Sequence, residues 1–163
     1  MELYTASKFR EIVGISQDLL SQWLRGYVEP DERSDRSGVP HKYSASTICQ
    51  IVFFKDLLNH GYRRERASAI SFSKGVKKLF EEIIKSKTIL NAMTLSGDYV
   101  GPLPVIQFAI IQYKNNEDDY ELIADALDFK VLYNKATKAD CINIYNITGI
   151  ALKVLKGLIS LNN

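Results

Sequence analysis

The sequence predicts an α+β protein with a helical front half and a mixed rear half, and three observations carry that expectation. Two short amphipathic segments, 7–13 and 16–25, meet at Gly14-Ile15, where a turn is expected. Gly38-Val39-Pro40-His41-Lys42-Tyr43 follows a polar, charged run and suits a small hairpin or wing, because Pro40 disrupts a helix interior. After Ser96-Gly97-Asp98 the apolar period changes from three-and-four to β-branched and aromatic runs. The expected divisions are a front unit at 1–72, a connecting or dimerisation helix at 73–94 and a small α+β effector or interaction unit at 95–163.

Each element follows from its residues. Residues 3–5 form a brief extended lead-in, with Thr5 or Ser7 capping the first helix and Phe9, Ile12 and Val13 as its apolar face. Gly14 takes a turn conformation that a Cβ disfavours. Ser16 caps a second helix whose inward stripe is Leu19, Leu20 and Trp23, with Trp23 as a core anchor, and Gly26-Tyr27 ends it. Ser44 or Ser46 caps a third helix that runs to about residue 60, with Ile48, Ile51, Val52, Lys55 and Leu58 at helical spacing. Gly61-Tyr62 interrupts, and a short helix at 63–70 carries three arginines. Residues 73–93 form an amphipathic helix in which Val76, Ile83 and Leu90 recur every seven; packing on its own unit and pairing with a second copy both remain open. In the rear half, 105–113, 129–133 and 141–147 are expected as strands, 121–127 as a short helix and 150–161 as a closing helix.

Composition narrows the classes. No apolar run reaches the 18 residues of a membrane helix, so no membrane partner is expected, and no basic-then-apolar leader announces secretion. Cys49 and Cys141 have neither metal-ligand spacing nor a disulfide framework, and a cytoplasmic setting is expected. Residues 1–80 hold 13 Lys and Arg against 9 Asp and Glu, whereas residues 81–163 hold 8 against 10. A basic front half suits contact with nucleic acid. Phosphate-binding Gly loops, nucleophile elbows and His-Glu-x-x-His helices are missing from the sequence, so neither enzyme activity nor a cofactor is expected. Asp118, Asp119, Glu121 and Asp125, with Asp128 nearby, are expected as surface charge rather than a metal site.

Helix, tight turn, capped helix and basic wing together are the pattern of a module that lays one helical face into the DNA major groove. Base edges are read by donors and acceptors on a rigid helix, and Ser16, Gln17, Asp18, Ser21, Gln22 and Arg25 supply such groups. His41, Lys42 and Tyr43 on the wing, and Arg63, Arg64 and Arg66 at the later helix start, are candidates for phosphate contacts that set register without reading sequence, although Tyr43 also suits packing.

These segments resemble the winged-helix DNA-binding domain of the MerR family of bacterial transcription regulators over residues 4–70. The likeness rests on Tyr4-Thr5-Ala6-Ser7, Gly14-Ile15-Ser16, Leu20, Trp23, Gly26-Tyr27, Tyr43-Ser44 and Gly61-Tyr62. It implies a second helix in the major groove of double-stranded DNA and a wing and later helix pair on flanking backbone. It also implies a homodimer joined through a long helix beyond residue 70, and promoter control by DNA distortion. The chain carries Ser21 and His41 where that family often has arginine, and Gly38 lies one residue farther from the wing tyrosine than is common. An architectural or recombination-directionality protein uses the same module, and a protein-interaction module that has lost DNA binding is the alternative left open by Ser21 and His41. The rear half lacks the family's inducer signatures; residues 105–161 offer a pocket or surface for an unidentified effector or protein partner.

Overall fold

The computed structural model describes residues 2–36, 38–86, 107–113, 116–124 and 139–161. They form an α+β protein in two compact units, one within Met1–Val100 together with Ile150–Asn163 and the other within Gly101–Gly149.

The first unit opens with β1 (Leu3–Thr5), α1 (Ala6–Val13) and α2 (Gln17–Tyr27). Gly14 ends α1 in the left-handed region at φ 68°, and its N–H donates to the Arg10 carbonyl at 2.9 Å. This conformation costs a Cβ-bearing residue energy, which accounts for glycine here. Thr5 occupies the start of α1, but its hydroxyl meets Ser7 Oγ at 3.0 Å instead of capping the helix. Ser16 does cap α2, its Oγ accepting the Leu19 N–H at 3.3 Å. α2 continues through Gly26 and stops before Val28.

The wing run pairs mainly elsewhere in the chain. β2 (Lys42–Ser44) lies antiparallel to β1, with Tyr4 opposite Tyr43, and the same Lys42 bridges Glu32 across the loop. Three short extended pieces are thereby joined at Lys42. Ser44 next caps α3 (Ala45–Asn59) by accepting the Thr47 N–H at 3.3 Å. Every residue of α3 from Ala45 to Phe54 is buried, so the expected stripe is a helix apolar nearly all round, as befits the central element. α1, α4 (Arg64–Ser71), α5 (Lys74–Lys85) and β2 all pack on it. Val76, Phe80 and Ile83 of α5 are buried within this unit, so two of the three heptad positions are already covered by the chain itself. Leu90 lies outside the described residues.

The aromatic core fixes how α2 sits. Trp23 meets Phe54 edge-on at 4.9 Å, and Tyr27 and Phe72 contact the same Phe54 ring at 5.5 and 5.4 Å. Phe9 meets Tyr43 edge-on at 5.6 Å, joining α1 to β2. Lys55 adds a polar tie: its ammonium donates to the Val13 and Gly14 carbonyls at 2.8 and 3.1 Å. A cation at a helix C-terminus satisfies carbonyls that have no partner within the helix.

The second unit contains a three-stranded antiparallel sheet, order β4-β3-β5, from β3 (Gln107–Tyr113), β4 (Asn116–Ala124) and β5 (Ala139–Asn146). The expected helix at 121–127 gives way over 121–124 to β4, and 125–127 lie outside the described residues. Glu121, Leu122 and Ala124 are good helix formers by themselves, but pairing of Phe108 to Tyr113 with this segment satisfies its backbone as a strand. The expected strand at 129–133 lies outside the described residues. β5 leads into α6 (Ile147–Ser160), and from Ile150 onward this closing helix belongs to the first unit. The expected continuous unit at 95–163 is therefore interrupted at its C-terminal end.

Gly157 marks a close approach of α6 to α1, where an added Cβ falls 2.7 Å from Ile12 Cγ1 and 2.9 Å from its Cδ1. Gly157→Ala is expected to destabilise the chain by about 1–2 kcal/mol through overpacking, despite alanine's better helix propensity. In an Ile12→Ala background the same change becomes stabilising. A denaturant double-mutant cycle reads the reversal; additive effects would show that the contact is not the cause.

Candidate nucleic-acid interface

α2 separates its residues by chemistry. Leu20 and Trp23 are 0% and 4% exposed, while Gln17, Asp18, Gln22 and Arg25 are exposed. Leu19, expected in the inward stripe, is only half-buried, as is Ser21 on the opposite flank. The outer face is partly organised: Gln17 Nε2 lies 3.5 Å from Ser21 Oγ, and Arg25 Nε donates to the Ser21 carbonyl at 3.3 Å. Asp18, in the first turn of α2, suits the positive end of the helix dipole.

The wing residues are held differently from the sequence expectation. Lys42 is engaged by Glu32, Nζ to Oε1 at 2.8 Å, in a pair whose side chains are 42% and 52% exposed. A pair so open is worth about 0–1 kcal/mol and can exchange for another anion. His41 is exposed, and its Nδ1 accepts the Ser34 N–H at 3.1 Å. That bond uses the Nδ1 lone pair and leaves Nε2 as the ring nitrogen for any further contact. Tyr43 is 3% exposed with its ring in the core, so packing claims its body. Burial, then the nearby Asp31 charge, pushes its phenol above the ordinary tyrosine range.

At the second basic cluster, Arg63 occupies the N-cap of α4 and Arg64 its first turn, both exposed. Arg66 is half-buried with its guanidinium 6.0 Å from the Tyr62 ring centroid, a cation–π geometry that directs it toward the protein.

Sequence reasoning missed the residue that organises this region. Asp31 Oδ2 accepts the Ser44 N–H and the Thr47 hydroxyl, each at 2.7 Å, and Oδ1 accepts Lys77 Nζ at 2.7 Å. One carboxylate thereby joins the loop before β2 to the start of α3 and to α5. Burial pushes the Asp31 carboxyl up, but hydrogen bonds from Lys77, Ser44 and Thr47 outweigh it and hold its pKa below the ordinary value. A charged run at 28–37 gave no sign of which acid would turn inward. Lys77 and Lys55 were equally silent, because both sit in helices whose sequence pattern leaves their partners undefined. Arg33 was missed for the same reason. It joins Arg25, His41 and Ser21 around a groove of about 500 Å³ between α2 and the wing segment, where Leu24 also lies.

Among the described residues no three His, Cys, Asp or Glu side chains converge as metal ligands, and no helix is long and apolar enough to cross a membrane. Cys49 is buried in α3, and burial pushes its thiol far up, away from thiolate chemistry. Compared with protein-family models and with curated proteins, the chain matches none.

Proposed function

We propose that this chain is a sequence-specific double-stranded DNA-binding transcription regulator built on a winged helix-turn-helix of MerR type. In this reading it works in the cytoplasm as a homodimer, with α2 in the major groove. The observation that supports the reading is the division of α2 just described. Leu20 and Trp23 lock one side of a capped helix into an aromatic core, leaving Gln17, Gln22 and Arg25 exposed at helical spacing. A rigid helix with amide and guanidinium groups on its free face is what direct readout requires. Arg63 and Arg64 at the start of α4 supply phosphate contacts. On the wing this role moves from Lys42 and His41 to Arg33 and Arg36, which are exposed and form no ion pair among the described residues.

Selection from a random duplex pool, followed by salt-dependent band shifts, tests the proposal. Retention that falls with salt and enriches two symmetric half-sites supports it; no salt-sensitive retention of any duplex refutes it. Arg64→Ala is expected to weaken all duplexes alike and to reduce the salt slope by about one. Gln22→Ala is expected to cost about 1–3 kcal/mol on the selected site and little on unrelated DNA. Unchanged affinity in both variants would point instead to an interaction module that has lost DNA binding.

A further inference from the structure

The groove between α2 and the wing segment has a chemistry that DNA readout leaves unexplained. Leu24, Val28, Pro30 and Pro40 make its lining largely apolar. Arg25 and Arg33 stand at it, no Asp or Glu lines it, and neither arginine has an ion-pair partner among the described residues. The size, about 500 Å³, falls in the range of small-molecule sites, which combine a mainly apolar lining with a few placed polar groups.

We infer that this groove binds a small amphipathic carboxylate: an aromatic or branched aliphatic body carrying one carboxylate. Inorganic phosphate leaves the four apolar lining residues uncovered, whereas a ring or branched chain buries its surface against them. The anion is met by guanidinium groups, whose planar forks match the two oxygens of a carboxylate. Arg25 is preset for this, since its Nε is occupied by the Ser21 carbonyl at 3.3 Å while its terminal amines have no ion pair among the described residues. His41 also lines the groove, its ring held by the Ser34 N–H on Nδ1. Because Arg25, Arg33 and Ser21 also belong to the surface proposed for DNA, an occupied groove competes with the duplex. This second half rests on the DNA-binding reading; the ligand site does not.

Calorimetric titration of the intact chain with 2-naphthoate and with its neutral analogue 2-naphthamide tests the site. Saturable one-site binding of the acid is expected, with the amide about tenfold weaker or worse, the loss of one charge-assisted pair. The exposed-site double variant Arg25→Ala/Arg33→Ala is expected to lose about tenfold or more of the naphthoate affinity. Equal affinity of acid and amide, absence of binding, or undiminished binding to a folded double variant overturns the assignment. A band shift at constant ionic strength then reads competition, with naphthoate raising the protein concentration needed for half retention. If no duplex is retained at all, the DNA reading fails and the titration still decides the groove. If duplex and naphthoate both bind without competing, only the regulatory half is overturned.

Discussion

Phe54→Ala is expected to lower the stability of the front unit by about 3–5 kcal/mol, the range for deleting a fully buried aromatic ring. Phe54 is 0% exposed and is contacted by Trp23, Tyr27 and Phe72, from α2 and the end of α4. Its removal leaves a cavity at the point where α2 is held on α3, and partial collapse cannot restore three ring contacts at once. Phe54→Leu, which keeps much of the volume, is expected to cost appreciably less. The measurement is direct because Trp23 is the chain's single tryptophan. Its emission should shift to longer wavelength in the alanine variant below the unfolding midpoint, as water reaches the indole. A stability loss under about 1.5 kcal/mol, or an unshifted emission, would show that α2 is anchored elsewhere. If the DNA-binding reading holds, site-specific affinity should fall more than nonspecific affinity, since base contacts need a fixed helix and phosphate contacts tolerate a loose one.

The second large effect concerns Asp31. Asp31→Ala removes the shared acceptor of the Ser44 N–H, the Thr47 hydroxyl and the Lys77 ammonium. Two of those donors belong to the buried start of α3, where Ser44 and Thr47 are each 2% exposed. The Lys77 side chain is 38% exposed and can return to water, so its share is small. A loss of about 2–4 kcal/mol is expected at neutral pH, mostly from the two donors left without their carboxylate. Asp31→Asn keeps one acceptor oxygen and is expected to cost about half as much.

The pH dependence has a definite sign. The folded Asp31 pKa lies below the ordinary 3.8, so the folded state favours the carboxylate. Its contribution is complete above the unfolded pKa and is lost as pH falls through the depressed folded value. The gap between wild type and Asp31→Asn should therefore be constant from neutrality to about pH 5 and close progressively below about pH 4. A gap that widens on acidification would mean the carboxyl is favoured in its protonated form. Because Asp31 joins the loop before β2 to α5, the alanine variant should also loosen the Glu32–Lys42 bridge; amide exchange at Lys42 reads this.

Much of the front unit was legible in sequence because its signals are local. Gly14 was readable since only a residue without Cβ takes φ 68° cheaply, and Ser16 and Ser44 since a serine hydroxyl can accept a free N–H of a helix's first turn, although Thr5 at the start of α1 does not. The alternation of Leu20 and Trp23 against Gln17, Gln22 and Arg25 foretold which side of α2 turns inward. Charged side chains were another matter. Lys42 reads as a candidate phosphate contact and Lys55 as a stripe position, but one is paired with Glu32 and the other closes the end of α1. His41 reads as a candidate phosphate contact, and its Nδ1 is held by a backbone N–H seven residues away.

Local chemistry in the sequence thus determined the helices of the front unit, the Ser16 and Ser44 caps and the amphipathic face of α2, since propensity and periodicity act over a few residues. Tertiary structure alone decided three things. It turned 116–124 into a strand, because a β ladder is satisfied by a partner that lies elsewhere in the chain. It sent the C-terminal helix back to the front unit, where Gly157 admits Ile12. It also chose Asp31 from among the acids of a charged loop, because desolvation and donor geometry at α3 and α5 exist only once those helices have met.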